Sequence, residues 1–100
     1  MIYHVTTQTA WSHAIEKGFF EADSLATEGF IHMSQEHQVA GVLQRYYQNV
    51  PDLLLLHVDE NATTAEVKFE LAPSVNELFP HVFGTINLDA VLKVESIPTP

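Results

Sequence analysis

Six histidines (His4, His13, His32, His37, His57, His81) outnumber the four Lys and Arg residues together in this chain of 100 residues. A neutral imidazole carries one donor and one acceptor and titrates close to neutral pH, so it suits proton transfer and polar ligand contacts alike. Three of the six stand in motifs. His4 shares one face of a β-branched segment, Ile2–Thr6, with Thr6. His32 lies in Glu28-Gly29-Phe30-Ile31-His32-Met33-Ser34, read as a strand delivering imidazole to a helix that Ser34 caps. An anionic ligand group can dock on the free N–H groups of such a helix start. His81 lies in Phe79-Pro80-His81-Val82-Phe83-Gly84, where Pro and Gly constrain the backbone around it. Glu28, beside the glycine, and Glu70, on the polar side of an alternating segment, are the acid–base carboxylates within reach of this pattern. Each motif has an ordinary structural alternative: a satisfied edge histidine, a buried polar residue before a Ser cap, a turn histidine. His13 and His37 fall on expected helices and read as solvated, and His57 ends an apolar strand, so these three read as ordinary.

The chemistry the chain lacks is as definite. There is no cysteine, so disulfides, thiolate nucleophiles and Cys-ligated metals are excluded. No G-x-x-x-x-G-K-[ST], G-x-G-x-x-G, G-x-S-x-G or H-E-x-x-H pattern occurs. His32 and His37 are five apart and share no helix face, so no metal is expected; a His-ligated metal protein built on His4, His32 and His81 stays a second alternative. Thirteen acidic residues give a formal net charge of −9. Four scattered cations neutralise few phosphates, which makes nucleic acid a poor partner and an anionic membrane surface another. No basic leader and no spanning apolar run is evident, and the longest apolar stretch is Leu53–Leu56. A cytoplasmic protein is expected, its oligomeric state undetermined.

Several elements must place these residues. Apolar residues make up 46% of the chain, enough for a core, and the length suits a single domain over 1–100. The pattern predicts a strand at Ile2–Thr6, then a helix from a Thr7 or Thr9 cap to Lys17 with Gly18 closing it and Trp11, Ala14 and Ile15 as its buried stripe. A short strand at Phe19–Ala22, a loop over Asp23–Glu28 and a strand at Gly29–Met33 follow. The second helix runs from Ser34 to about Gln48 on Val39, Val42, Leu43, Tyr46 and Tyr47. Leu53–Val58 reads as a central strand, Ala65–Leu71 as a strand with one solvated face, Phe79–Gly84 as a connection and Val91–Ile97 as the last strand. The expected fold is α+β, with two helices packed on a mixed, mainly antiparallel split sheet.

The segments Ile2–Thr6, Ser24–Ser34, Val67–Glu70 and Phe79–Gly84 together resemble a small, mostly bacterial family of proteins, domain-of-unknown-function family 952, over nearly the whole chain and in the family's order. Where Met33 stands the family usually carries Cys. That family is similar to a minimal ADP-ribosyltransferase-like fold, which binds NAD in a cleft between two small sheets. The resemblance implies a nucleotide-sized small-molecule ligand, with NAD as cofactor. It implies that His4-Val5-Thr6 holds the nicotinamide-side ribose, as a first-strand H-x-[ST] motif does, and that Gly29, His32 and Ser34 complete the cofactor site. It places His81, with Glu70 or Glu28, at the reacting centre, where the fold's transferases commonly carry a Glu. The chemistry implied is transfer or cleavage at the nicotinamide ribose, by an ADP-ribosyltransferase or an NAD-glycohydrolase-like enzyme. RNA 2′-phosphotransferases of the same fold use NAD with a second histidine, but need cations that this chain lacks. The alternative is a non-catalytic module that binds a nucleotide.

Overall fold

Each run of β-branched and aromatic residues becomes a strand, and each helix carries the chain from one small sheet to another. The computed structural model describes all residues, Met1–Pro100, as β1 (Ile2–Thr7), α1 (Gln8–Lys17), β2 (Phe19–Phe20), α2 (Asp23–Glu28), β3 (Ile31–His32), a 3-10 turn (Glu36–Gln38) running into α3 (Val39–Tyr46), β4 (Leu53–Val58), β5 (Val67–Ala72), β6 (Glu77–Val82), β7 (Ile86–Asn87), a second 3-10 turn (Leu88–Ala90) and β8 (Val91–Ile97). Strand orders are β1-β4-β8 and β3-β6-β5, with β2-β7 as a separate pair. The split α+β architecture is as expected, but every ladder is antiparallel, so the sheet is not mixed. A parallel pair needs a crossover within one sheet, and here each helix joins strands of different sheets.

Helix α1 starts where Thr7 Oγ1 accepts from the Ala10 N–H at 3.2 Å, and ends at Gly18 with φ 90°. Ala14 is its buried contact and Trp11 packs on the core, whereas Ile15 is exposed, contrary to the expected stripe. The segment Asp23–Glu28, expected as a loop, is a helix, so there are three helices rather than two. Its signals were Asp23 against the dipole in the first turn and Gly29 beyond the last, with φ 88°. Ser34 does not cap α3; it bridges to Tyr3 of β1 through two backbone hydrogen bonds of 2.7 and 2.8 Å. The expected connection around His81 is strand β6, in the middle of its sheet. Pro80 is tolerated there because its carbonyl accepts from the Met33 N–H at 2.9 Å, so its hydrogen-free nitrogen faces the same way, just past the end of the two-residue β3.

Leu53–Val58 is indeed the middle strand of its sheet, and Leu56 and Val58 are fully buried. They pack with Ile2, Phe20, Ile31, Met33, Val82 and Ile86 into one core cluster that all three sheets share. Strand β5 differs from expectation: as the outer strand of its sheet it leaves both faces largely wet, Phe69 and Leu71 included.

The αL position of Gly29 gives a direct test. Nothing lies within 4 Å of a side chain built there, so Gly29→Ala adds backbone strain alone. It is expected to cost about 1 kcal/mol, and the midpoint of thermal unfolding should fall by roughly 5 °C. An unchanged or raised midpoint would contradict the cap.

Candidate functional site

The Tyr3–Ser34 bridge sews the β1 sheet to the β3 sheet, and that seam sets the first imidazole against the second. His4 Nδ1 lies 2.6 Å from the carbonyl oxygen of His32. A carbonyl only accepts, so Nδ1 carries the proton. The His4 imidazole also packs edge-on against Phe20, with ring centroids 5.2 Å apart. Burial pushes its pKa down from 6.5 to about 4; the His32 carbonyl pulls the other way and loses, and the His32 imidazole adds a smaller downward push. His4 is therefore neutral at pH 7, with Nε2 a bare acceptor on the opposite edge of the ring.

His32 and His81 are cross-strand partners in β3 and β6, their rings 5.3 Å apart and nearly perpendicular. Each has its own carboxylate. Glu28 Oε2 is 2.9 Å from His32 Nε2, a contact made possible because Gly29 turns the chain back after α2. Glu70 Oε1, on the neighbouring strand β5, is 2.7 Å from His81 Nδ1. Phe30 stacks on the His81 ring with centroids 4.0 Å apart and an interplanar angle of 13°, and meets His32 edge-on at 5.0 Å. His81 is thus held by a carboxylate at one nitrogen and an aromatic plate on one face. Its side chain is 13% exposed, whereas the His32 side chain is 52% exposed.

These groups open into a cleft of about 470 Å³, within the size range of small-ligand pockets. His4, His32, Ser34 and His81 line it together with Val5 and Met33. Helix α3 forms one wall with Val42, Arg45, Tyr46 and Tyr47; the β5–β6 hairpin forms the other with Leu71, Ser74, Val75 and Phe79. Gln38, almost fully buried, clamps the two walls. Its Oε1 accepts from the Gln35 N–H, while Nε2 donates to the Leu78 carbonyl at 2.9 Å and to Glu77 Oε1 at 3.1 Å. The Tyr47 hydroxyl donates to the Val5 carbonyl at 3.4 Å, and burial raises its pKa, so it remains a phenol.

Of the residues expected at the site, His4, His32, Ser34 and His81 line the cleft, and Glu28 and Glu70 reach it through the imidazoles they hold. Thr6 and Gly29 do not line it: Thr6 is buried at the end of β1, and Gly29 terminates α2. Arg45, Tyr47 and the hairpin wall were not anticipated. The available signal for Arg45 was its rarity as a cation; for the hairpin wall there was none, because only the tertiary fold sets it opposite α3. His13, His37 and His57 lie outside the cleft. No three His, Asp or Glu side chains are grouped so as to hold a metal ion, so His4, His32 and His81 share a cleft without forming one ligand set. No helix is long and apolar enough to cross a membrane.

Proton linkage at His4 predicts a pH effect on stability. Its folded pKa lies below the unfolded value, so between about pH 6.5 and 4 the unfolded chain binds a proton that the folded chain refuses. That contribution to stability is complete above pH 6.5 and lost as pH falls through this window, by roughly 2 kcal/mol after allowing for the ring edge that water reaches. Urea unfolding of wild type and His4→Gln at pH 7.5 and 4.5 measures it: the wild type should lose more than the variant. Equal losses would contradict the buried neutral state.

Fold and site together define a class: an antiparallel α+β domain with a histidine-lined cleft backed by two carboxylates. Residues 5–94 match the family described as a protein of unknown function, DUF952, and the chain belongs to that family. Its fold is also that of CC0527 from Caulobacter crescentus. One crystal structure of that protein superposes with a TM-score of 0.89 at 23% identity, covering 97% of this chain and 85% of that one. Its solution structure gives 0.82 at 24% identity, covering 96% and 83%. Comparison with the curated proteins gives no match.

Proposed function

We propose that the cleft binds NAD through its nicotinamide-ribose half, on an ADP-ribosyltransferase-like fold, and that the protein cleaves or transfers at the nicotinamide ribose. One observation carries the reading: three histidines from strands of two sheets, two of them each paired with a carboxylate, line one cleft of ligand size. The three imidazoles gather where the Tyr3–Ser34 bridge joins two sheets, and all three line the cleft.

The chemistry needs orientation and charge stabilisation more than a strong base. His4 Nε2 accepts from a ribose hydroxyl, and its fixed tautomer sets the direction of that bond. His32 and the Ser34 hydroxyl hold the carboxamide side. The bond between ribose C1′ and the pyridinium nitrogen breaks, and its electron pair goes to the ring, giving neutral nicotinamide. The oxocarbenium left behind is stabilised by His81, which Glu70 makes more electron-rich through their hydrogen bond. Water attacks C1′ and gives its proton to the His81–Glu70 pair, which returns it to solvent. In a transfer reaction an acceptor hydroxyl or amine takes the place of water.

The runner-up is a nucleotide-binding module without turnover, favoured by the heavy pairing of His81, which leaves it one free nitrogen. Incubation of the pure protein with NAD separates the two. Nicotinamide release followed by chromatography, and abolished in His4→Ala, supports the enzyme. Measurable affinity for NAD or ADP-ribose without release supports the module; neither release nor affinity overturns both.

A further inference from the structure

Of the four side-chain cations, Lys17 is paired with Glu21 at 2.9 Å and Lys68 with Glu66 at 3.6 Å. Arg45 has no carboxylate partner, in a chain with thirteen acidic residues, and it is the only cation lining the cleft. No Asp or Glu lines the cleft, so nothing there neutralises it. Its side chain lies back along α3 over Gly41: a Cβ built on that glycine would meet Nη1 at 2.9 Å. The missing side chain at Gly41 leaves room for the guanidinium to lie there. The Tyr46 ring adds a face contact, 5.7 Å from Cζ. Two neutral hydroxyl residues, Ser34 and Ser74, also line the cleft.

An unpaired guanidinium on the α3 wall, away from the carboxylates behind His32 and His81, is suited to a ligand that brings its own negative charge, and the planar fork matches phosphate geometry in bidentate fashion. We propose that the α3 wall is a phosphate seat anchored by Arg45, so that the cleft takes a phosphate- or diphosphate-bearing ligand and discriminates against the same ligand without its phosphate. The inference rests on the histidine cleft being a nucleotide site and adds which part of the nucleotide lies on which wall: the sugar and base over the histidines, the phosphate at α3. It also reconciles an anionic ligand with a net charge of −9. Long-range repulsion is screened beyond about 8 Å at physiological salt, and contact with one guanidinium acts inside that range.

The test follows the Arg45 Nε–H and backbone amide signals by NMR with three probes, sodium pyrophosphate, NAD and nicotinamide riboside, on wild type, Arg45→Gln, Arg45→Lys and Lys93→Gln. Lys93 is also unpaired but lies on β8 outside the cleft, so its variant removes the same charge elsewhere. Millimolar pyrophosphate should shift Arg45 and the α3 amides, and NAD should bind at least tenfold more tightly than the riboside. Arg45→Gln should bring NAD down to the riboside, Arg45→Lys should restore part of the difference, and Lys93→Gln should preserve it. Measurable binding of NAD and riboside with equal affinity to wild type, pyrophosphate leaving Arg45 unmoved, or Lys93→Gln matching Arg45→Gln would each overturn the seat. If pyrophosphate shifts Arg45 but NAD does not bind, the seat stands and the NAD reading falls.

Discussion

Replacement of His81 by Ala is expected to lower nicotinamide release from NAD by about 100- to 10,000-fold, the usual worth of a positioned acid–base group. The size follows from how firmly the side chain is held. Glu70 fixes Nδ1 at 2.7 Å, and Phe30 fixes the plane of the ring from one face. A residue oriented at two points acts on one position in the cleft, and its removal takes away both the proton acceptor and the alignment of Glu70. His81→Asn separates these two losses: the amide can still donate to Glu70 but cannot carry a proton, so kcat should fall while KM stays near wild type. Initial rates over a range of NAD concentrations measure both. Release within threefold of wild type in either variant would remove His81 from the chemistry.

Leu56→Ala should have the largest effect on stability. The side chain is fully buried in the middle strand, in the cluster that joins all three sheets. Truncation of a buried Leu costs about 2–5 kcal/mol, in which lost transfer energy and the residual cavity both count. Nothing near the site offers an easy collapse, because its neighbours Ile2, Ile31 and Val82 all belong to strands held in backbone ladders. A loss of roughly 3 kcal/mol corresponds to a fall of about 15 °C in Tm for a chain of this length. Because this core carries both β1 and β3, NAD affinity should weaken in parallel. A fall under 4 °C would mean that the three sheets do not share one cooperative core.

Local chemistry predicted local structure well. Thr7 and Gly18 marked both ends of α1, and the unbroken run Leu53–Val58 announced a central strand. Where the reading went astray, long-range pairing had overridden a local cue. Ser34 has the residue type of a cap, yet its backbone is taken by Tyr3, about thirty positions away; Pro80 has the residue type of a turn, yet β3 is short enough to leave its missing N–H unneeded. The segment before Gly29 has no apolar periodicity, and its helix rests on the cap and on Ser24, whose hydroxyl donates to the Phe30 carbonyl at 2.8 Å. The site divides the same way. Histidines in motifs were visible residue by residue; Glu70 was a candidate on the polar side of its segment, as Glu66 is too, and only the pairing of β5 with β6 sets it against His81. Arg45, Gln38 and the hairpin wall were not visible, because the cleft exists only once α3 and the β5–β6 hairpin face each other. Thr6 shares the His4 face of β1, but it is buried near the far end of the strand, beyond the cleft.

The six imidazoles supply the most direct test, since three lie at the cleft and three lie elsewhere. The ring Cε1–Hε1 signals of all six, followed during titration of the pure protein with NAD up to millimolar concentration, report the ligand's position without reliance on turnover. Saturable shifts are expected at His4, His32 and His81, with His13, His37 and His57 unmoved. Shifts at His13, His37 or His57 alone, or none at any of the six, would contradict NAD binding at the cleft.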